Sequence, residues 1–260
     1  MTKKWLNINY TYYNNYDLFM EVVEHYKPYE NYFNFTVIDD GSQDEPLTSE
    51  NLPENWKGYR VEQDLGWGNE VCRNILMRKT NHRWNALMDM DLVIDLDDHR
   101  CRDALCWGAY PPNFVKYYGP QFFLPVSYQF YHGGRTKYDS LEEDPSISQQ
   151  CLNSFIISGE AFFKTYGYDM TMAYLYGSDY TLPLQLAGEC LAVDTKLKKI
   201  AVQASPGSER FAPKDSDAYK ELLAKTKYFQ DKGWVNPVGI WINKKQYLKN
   251  CKDFPKVVDL

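Results

Sequence analysis

Apolar and polar residues alternate along "WLNINY" (residues 5–10), the period-two signature of a strand, which we expect to end near Thr11. The period then changes. In "YDLFMEVVEHYK", Leu18, Phe19, Val22, Val23 and Tyr26 recur at three- and four-residue spacing, so a helix follows and Pro28 stops it. "FNFTVIDDGSQDE" is a second strand that runs into a turn rich in Asp, Gly and Ser, and "GYRVEQ" is a short third strand. "NEVCRNILMRKT" gathers Val71, Ile75 and Leu76 on one side of a helix, and "RWNALMDMD" is a fourth strand. Strands alternating with helices predict an α/β fold with a mostly parallel central sheet and helices on both faces.

Past Arg100 the periodicity weakens. "QFFLPVSYQFYHGG" is expected as a strand despite Pro125, and "CLNSFIISGEAFF" as a strand leading into a short helix. "GSDYTLPLQLAGE" has helical character, with Ser178 as N-cap and Pro183 near the first turn. "DSDAYKELLAKTKYFQDKG" is an amphipathic helix that ends at Gly233. No element is assigned to the final Trp- and Lys-containing stretch. A chain of 260 residues has room for one large α/β domain with a modest appendage.

Charge and composition remove several functions. A net charge of −6 leaves no basic surplus to neutralise phosphates, so nucleic acid is not an expected partner. No apolar run approaches the roughly 20 residues that span a bilayer, and "MTKKWLNINY" lacks the apolar segment of a signal peptide. A soluble, cytoplasmic protein is the expectation. The six cysteines are scattered without a C-x-x-C pair, which favours buried reduced thiols over a zinc site. Oligomeric state is left open.

The candidate chemistry is acidic. In open parallel sheets, ligands bind beyond the carboxyl ends of the strands. Two of the expected strands end in acid there, at Asp39-Asp40 and at Asp89-x-Asp91. Residues two apart in extended chain point the same way, so Asp89 and Asp91 are expected to converge. Crowded carboxylates raise one another's pKa unless a cation relieves them, and a hard divalent ion completed by phosphate oxygens and water is the natural relief. A calcium loop would need Gly five residues after its first Asp, where this chain has Ile94 or Leu96. Asp95, Asp97 and Asp98 fit an ordinary acidic loop, and His132 an ordinary loop histidine. Trp107, Tyr110 and Tyr131 are aromatics that could stack on sugar rings.

Taken in order, "INYTYYN", "TVIDDGSQD", "GNEVCRN", "ALMDMD", "FIISGEAFFKTYGYD" and "YGSDYTL" resemble a family 2-type glycosyltransferase with the GT-A (Rossmann-like) fold. That family carries P-T-Y-N, V-D-D-G-S, A-R-N, D-x-D, G-G-Y-D and G-E-D in the same succession. The resemblance covers roughly residues 5–192. It implies a GT-A domain over 1–194, with a nucleotide-binding half at about 1–98 and an acceptor half at about 99–194. Residues 195–260 would be a C-terminal helical extension.

The resemblance also implies roles. Asp39 matches the aspartate that reads the uracil edge of a UDP-sugar, Asp40 follows it at the same strand end, and Thr11 flanks the base. Arg73 matches the arginine near the nucleotide. Asp89 and Asp91 match the D-x-D pair, Asp91 holding Mn2+ or Mg2+ and Asp89 the metal or the donor. Asp179 matches the catalytic base that activates an acceptor hydroxyl, carbohydrate or other, with inversion, and Asp169 the acceptor side. Four positions depart from the family pattern: Thr11 for proline, Cys72 for alanine, Tyr166 for the first glycine and Ser178 for glutamate.

Two other classes share features. HAD-type phosphatases also place D-x-D after an apolar strand, but as the opening motif, whereas about 80 residues precede it here. A nucleotide-sugar-binding protein on a catalytically weak scaffold would bind donor without turnover.

Overall fold

The computed structural model describes residues 4–64, 68–97, 102, 122–125, 154–164, 167–168, 190–193, 197–199, 217, 220, 224 and 255–260. Its first half follows the expected alternation: β1 (Leu6–Tyr12), α1 (Tyr16–Tyr26), β2 (Asn34–Asp39), β3 (Trp56–Val61), α2 (Asn69–Thr80) and β4 (Trp84–Met88). A short 3-10 turn at Lys27–Tyr29, with Pro28 inside it, ends α1. Then come β5 (Leu92–Ile94), β6 (Phe122–Pro125), β7 (Phe155–Ser158), α3 (Gly159–Lys164), β8 (Cys190–Val193), β9 (Leu197–Lys199) and β10 (Val257–Asp259).

Eight strands form one sheet in the order β10-β3-β2-β1-β4-β7-β6-β8, while β5 and β9 form a separate antiparallel pair. The sheet is mixed. β3, β2, β1 and β4 run parallel, but β7 enters antiparallel between β4 and β6, and β10 pairs antiparallel with β3. Local pattern carries no information on strand direction, which is why only the parallel half was legible. The segment 195–260, expected as helical, thus supplies two strands, one of them closing the β3 edge. Residues 217, 220 and 224 are helical, within the helix expected to end at Gly233. The rest of that helix and the helix expected after Ser178 lie outside the described residues.

Each face of the parallel half is covered for a different reason. The apolar positions of β1 (Leu6, Ile8, Tyr10, Tyr12) join Phe35 and Val37 of β2 under Phe19, Val22, Val23 and Tyr26 of α1. Asn15 caps that helix by accepting from the Leu18 amide at 3.2 Å. On the other face Val71, Cys72, Ile75 and Leu76 of α2 cover Ile38, Tyr59 and Val61.

The polar positions of "WLNINY" do not meet water. Asn7 donates to Asn9 Oδ1 at 2.6 Å, Asn9 donates to Asn85 Oδ1 and the Ala86 carbonyl, and Thr36 donates to Asn7 Oδ1 at 3.1 Å. These residues are buried, so strands β2, β1 and β4 are laced together by an amide network. Buried amides cost little when bonded and a great deal when not, so the network specifies this register.

Two buried protons set the alkaline limit of the fold. Burial pushes the Tyr10 hydroxyl and the Cys72 thiol well above their ordinary values, with Tyr26 adding to the first and Asp40 to the second. The folded chain therefore holds both protons more tightly than the unfolded chain. Stability is intact below about pH 9, where an unfolded thiol begins to ionise, and is lost as the pH rises through the folded-state values. Unfolding free energies from urea titrations at pH 7 to 11 should fall by up to roughly 1.4 kcal/mol per pH unit for each group, the thiol first and the tyrosine only above about pH 10. Cys72→Ala should flatten the first part of the fall.

Candidate active site at the carboxyl edge of the sheet

From β1 the chain moves outward through β2 to β3, then returns to the opposite side of β1 as β4. The carboxyl ends of β1 and β4 therefore flank a topological switch point, the position where open α/β sheets bind ligands. Thr11, Asp39, Asp40, Arg73, Asp89 and Asp91 all lie along this edge or on the start of α2 above it.

Asp39 is wholly buried at the end of β2, directly opposite Tyr12 of β1. One carboxylate oxygen accepts from the Ser42 amide at 2.7 Å and the other from the Leu47 amide at 2.9 Å. The loop after β2 is thereby folded onto it. Burial raises its pKa, while the Ser42 and Leu47 bonds and the nearby Arg60 pull it back. Arg60 approaches to 3.5 Å and also donates to the Ser42 carbonyl at 2.8 Å. Both oxygens of Asp39 are thus engaged by the 42–47 loop, whose packing the sequence could not show.

Asp40 turns to the other face. It accepts from the Gly68 amide at 2.9 Å and from the Cys72 thiol at 3.5 Å, so it anchors the start of α2, where a negative charge also meets the helix dipole favourably. A side chain at Gly68 would overlap the Asp40 carboxylate. Gly68→Ala should accordingly cost about 1–3 kcal/mol, the usual range for overpacking, read as a lower urea midpoint with unchanged m-value. Thr11 sits beside this edge with its hydroxyl buried and without a hydrogen-bond partner among the described residues.

Asp89 and Asp91 are not in extended chain. β4 stops at Met88, and residues 89–92 form a turn closed by the Leu92 amide on the Asp89 carbonyl at 3.1 Å. The expectation that strand geometry aligns the two side chains is therefore corrected: β5 begins immediately, and the chain must bend to reach it. Both carboxylates nevertheless raise the pKa of Tyr10, whose hydroxyl donates to the Leu92 carbonyl at 2.8 Å beneath the turn.

Arg73 is the site's main positive charge. It is 1% exposed and pairs with Asp89, which is 21% exposed, at 2.7 Å. Its other terminal nitrogen donates to the Tyr168 hydroxyl at 3.0 Å, and its guanidinium lies 5.7 Å from the Tyr168 ring centroid. The Asp89 amide donates to Ser154 Oγ at 2.9 Å. Asn74, next to Arg73, donates to the Tyr168 carbonyl at 3.0 Å and accepts from the Tyr168 amide at 2.9 Å. Ser154, Tyr168 and Asn74 were not singled out from sequence. Asn74 belongs to the A-R-N-like "CRN", which was the available signal. Asp179, Asp169, His132, Trp107, Tyr110, Tyr131 and Ser178, whose roles are expectations from the sequence, lie outside the described residues.

No group of three or more His, Cys, Asp or Glu side chains suited to a metal occurs among the described residues. The pair Asp89 and Asp91 offers only carboxylate oxygens, one of them held by Arg73. That donor set does not close a cage, but it fits Mg2+ or Mn2+ that takes its remaining ligands from phosphate and water. No helix among the described residues is long and apolar enough to cross a membrane.

No protein-family model and no curated protein matches the chain. Among solved structures, it is similar to a mannosyltransferase from Pyrobaculum calidifontis in complex with GDP-Man and Mn2+. Identity is 13% and the TM-score 0.49, with 97% of this chain and 76% of that one covered. It is also similar to glucosyl-3-phosphoglycerate synthase from Mycobacterium tuberculosis in complex with Mn2+ and UDP-Glc, at 13% identity, TM-score 0.49, and 87% and 79% coverage. The same enzyme with phosphoglyceric acid also bound gives 14% identity, TM-score 0.44, and 87% and 80% coverage. These likenesses are too distant to assign a ligand or an activity.

Proposed function

We propose that the protein is a metal-dependent glycosyltransferase of the GT-A type, family 2-like, that moves a sugar from a UDP-sugar to an acceptor hydroxyl with inversion. The observation that carries this is the meeting, at one switch point, of residues from four separate motifs: Thr11, the Asp39-Asp40 turn, Arg73 and the Asp89-Asp91 turn. Thr11 and the loop anchored by Asp39 frame the nucleoside. Asp40 holds the start of α2 and with it Arg73. Asp89 and Asp91 hold Mn2+ or Mg2+, Asp91 as the principal ligand and Asp89 oriented by Arg73.

A divalent cation bound there would offset the negative charge that builds on the diphosphate as the sugar leaves. The sugar passes through an oxocarbenium-like state, as in glycoside hydrolysis. Asp179 takes the proton from the incoming hydroxyl, which is a weak nucleophile without a base. We infer a cytoplasmic enzyme that folds as a GT-A domain over 1–194.

Calorimetric titration with UDP, with and without Mn2+, tests the donor site directly. Binding that requires the metal is expected, and release of UDP from a UDP-sugar should follow once an acceptor is supplied. A folded protein that binds UDP under neither condition would overturn the proposal. Phosphate release without nucleotide dependence would favour the phosphatase chemistry instead. Tight donor binding without turnover across many acceptors would mark a binding protein.

A further inference from the structure

Asn74 is 4% exposed and lies one residue beyond Arg73 in α2. Its side-chain amide makes two bonds to the backbone of a single residue, Tyr168, one as donor and one as acceptor. Both its polar atoms are thus used to hold one peptide segment 94 positions away. That segment is unusual in itself. Gly167 has φ +79°, and a side chain there would overlap Asn74 Oδ1, so the backbone is brought as close to Asn74 as an L-residue would forbid.

Tyr168 in turn is buried against Arg73, which donates to its hydroxyl and sits over its ring. Arg73 holds Asp89. The contacts therefore connect Asn74 to Tyr168, Tyr168 to Arg73 and Arg73 to Asp89. A guanidinium needs its planar fork held from more than one side to present a fixed geometry to a carboxylate. Among the partners of Arg73, Asp89 is the group being positioned, Tyr168 serves as an anchor, and Asn74 keeps that anchor in place.

We propose that Asn74, through Tyr168, positions the Arg73–Asp89 pair and so sets the affinity of the carboxylate site for a metal-bound nucleoside diphosphate, although the side-chain amide of Asn74 is itself committed to the Tyr168 backbone. This rests on the donor reading above. The role is positioning, and its signature is selective: the part of UDP binding that depends on Mn2+ weakens, while the part that does not is untouched. Loss of supporting contacts behind a metal ligand costs on the order of 10–100-fold in affinity.

The test is calorimetry of the full chain with UDP, with and without Mn2+. The variants are Asn74→Ala, Tyr168→Phe and the double variant, with Phe33→Leu as a destabilised control whose buried ring precedes β2 at the opposite edge of the sheet. Tyr168→Phe keeps the backbone clamp and removes only the hydroxyl that Arg73 uses. Each single variant should weaken Mn2+-dependent binding about tenfold, and the double variant should be no weaker than the worse single one, because both act through Arg73. Phe33→Leu should bind as the wild type does. Wild-type affinity in either single variant overturns the proposal, as does an equal loss in Phe33→Leu, which would make the effect one of general stability. Wild-type protein that binds no UDP with Mn2+ fails at the first titration, before any variant is compared, and removes the donor reading together with this proposal.

Discussion

Arg73→Met is expected to be the most destabilising single substitution in the described part of the site. Arg73 is almost fully buried and holds both Asp89 and the Tyr168 hydroxyl. Methionine fills much the same volume, so what is lost is charge and hydrogen bonding, not packing. Removing one member of a buried pair costs about 3–5 kcal/mol, because the other charge is left uncompensated. Asp89 keeps some access to water, and its carboxylate can be partly solvated once the guanidinium is gone, so about 2–3 kcal/mol is expected here. For a chain of this size that corresponds to a fall in Tm of roughly 5–10 °C.

The companion variant separates the causes. Asp89→Asn placed on Arg73→Met removes the orphaned charge, and the double variant should recover part of the loss. A thermal shift series over the two singles and the double would give the coupling directly. Arg73→Lys should fall between wild type and methionine, since an ammonium can satisfy Asp89 but cannot also span to Tyr168 in the plane of the guanidinium. If Arg73→Met were as stable as wild type, the pair would be a surface contact in solution, and the positioning order inferred above would have no basis.

Asp91→Ala is expected to do the reverse, leaving the fold alone and abolishing the metal-dependent part of UDP binding. Asp91 lies on the 89–92 turn and is partly exposed, so its truncation opens no cavity. A site built from two carboxylates and substrate phosphates has no spare ligand. Losing one should cost more than the roughly 10–100-fold that groups merely supporting a ligand contribute. UDP titrated with Mn2+ should then show no more affinity than UDP alone, with Tm within about 1–2 °C of wild type, in the range usual for a surface change. Retained Mn2+ dependence in this variant would move the metal off Asp91.

That acids stand at the carboxyl ends of β2 and β4 was legible beforehand, and little of their surroundings was. Asp39, Asp40, Asp89 and Asp91 stand out because acid at the end of an apolar strand is costly unless it has a use. What each carboxylate touches was not legible. Asp39 and Asp40 are neighbours in sequence, yet the pleat sends one to the loop that ends at Leu47 and the other to the start of α2. Asp89 and Asp91 looked aligned by the period of a strand, but the strand had already ended.

The sequence by itself determined the elements of the first half, because helix and strand periods are written in residues a few places apart. Leu18 to Tyr26 and Leu6 to Tyr12 needed no distant partner to be recognised. It could not determine what faced the polar side of β1, since alternation is the same whether Asn7 and Asn9 meet water or the amide of Asn85 and the hydroxyl of Thr36. Only tertiary structure decided that, and only it joined Asn74 and Arg73 to Tyr168 across more than 90 positions of chain. Those contacts depend on the order in which strands enter the sheet and on the direction of β7, which hydrogen bonding between distant segments settles and local pattern does not record.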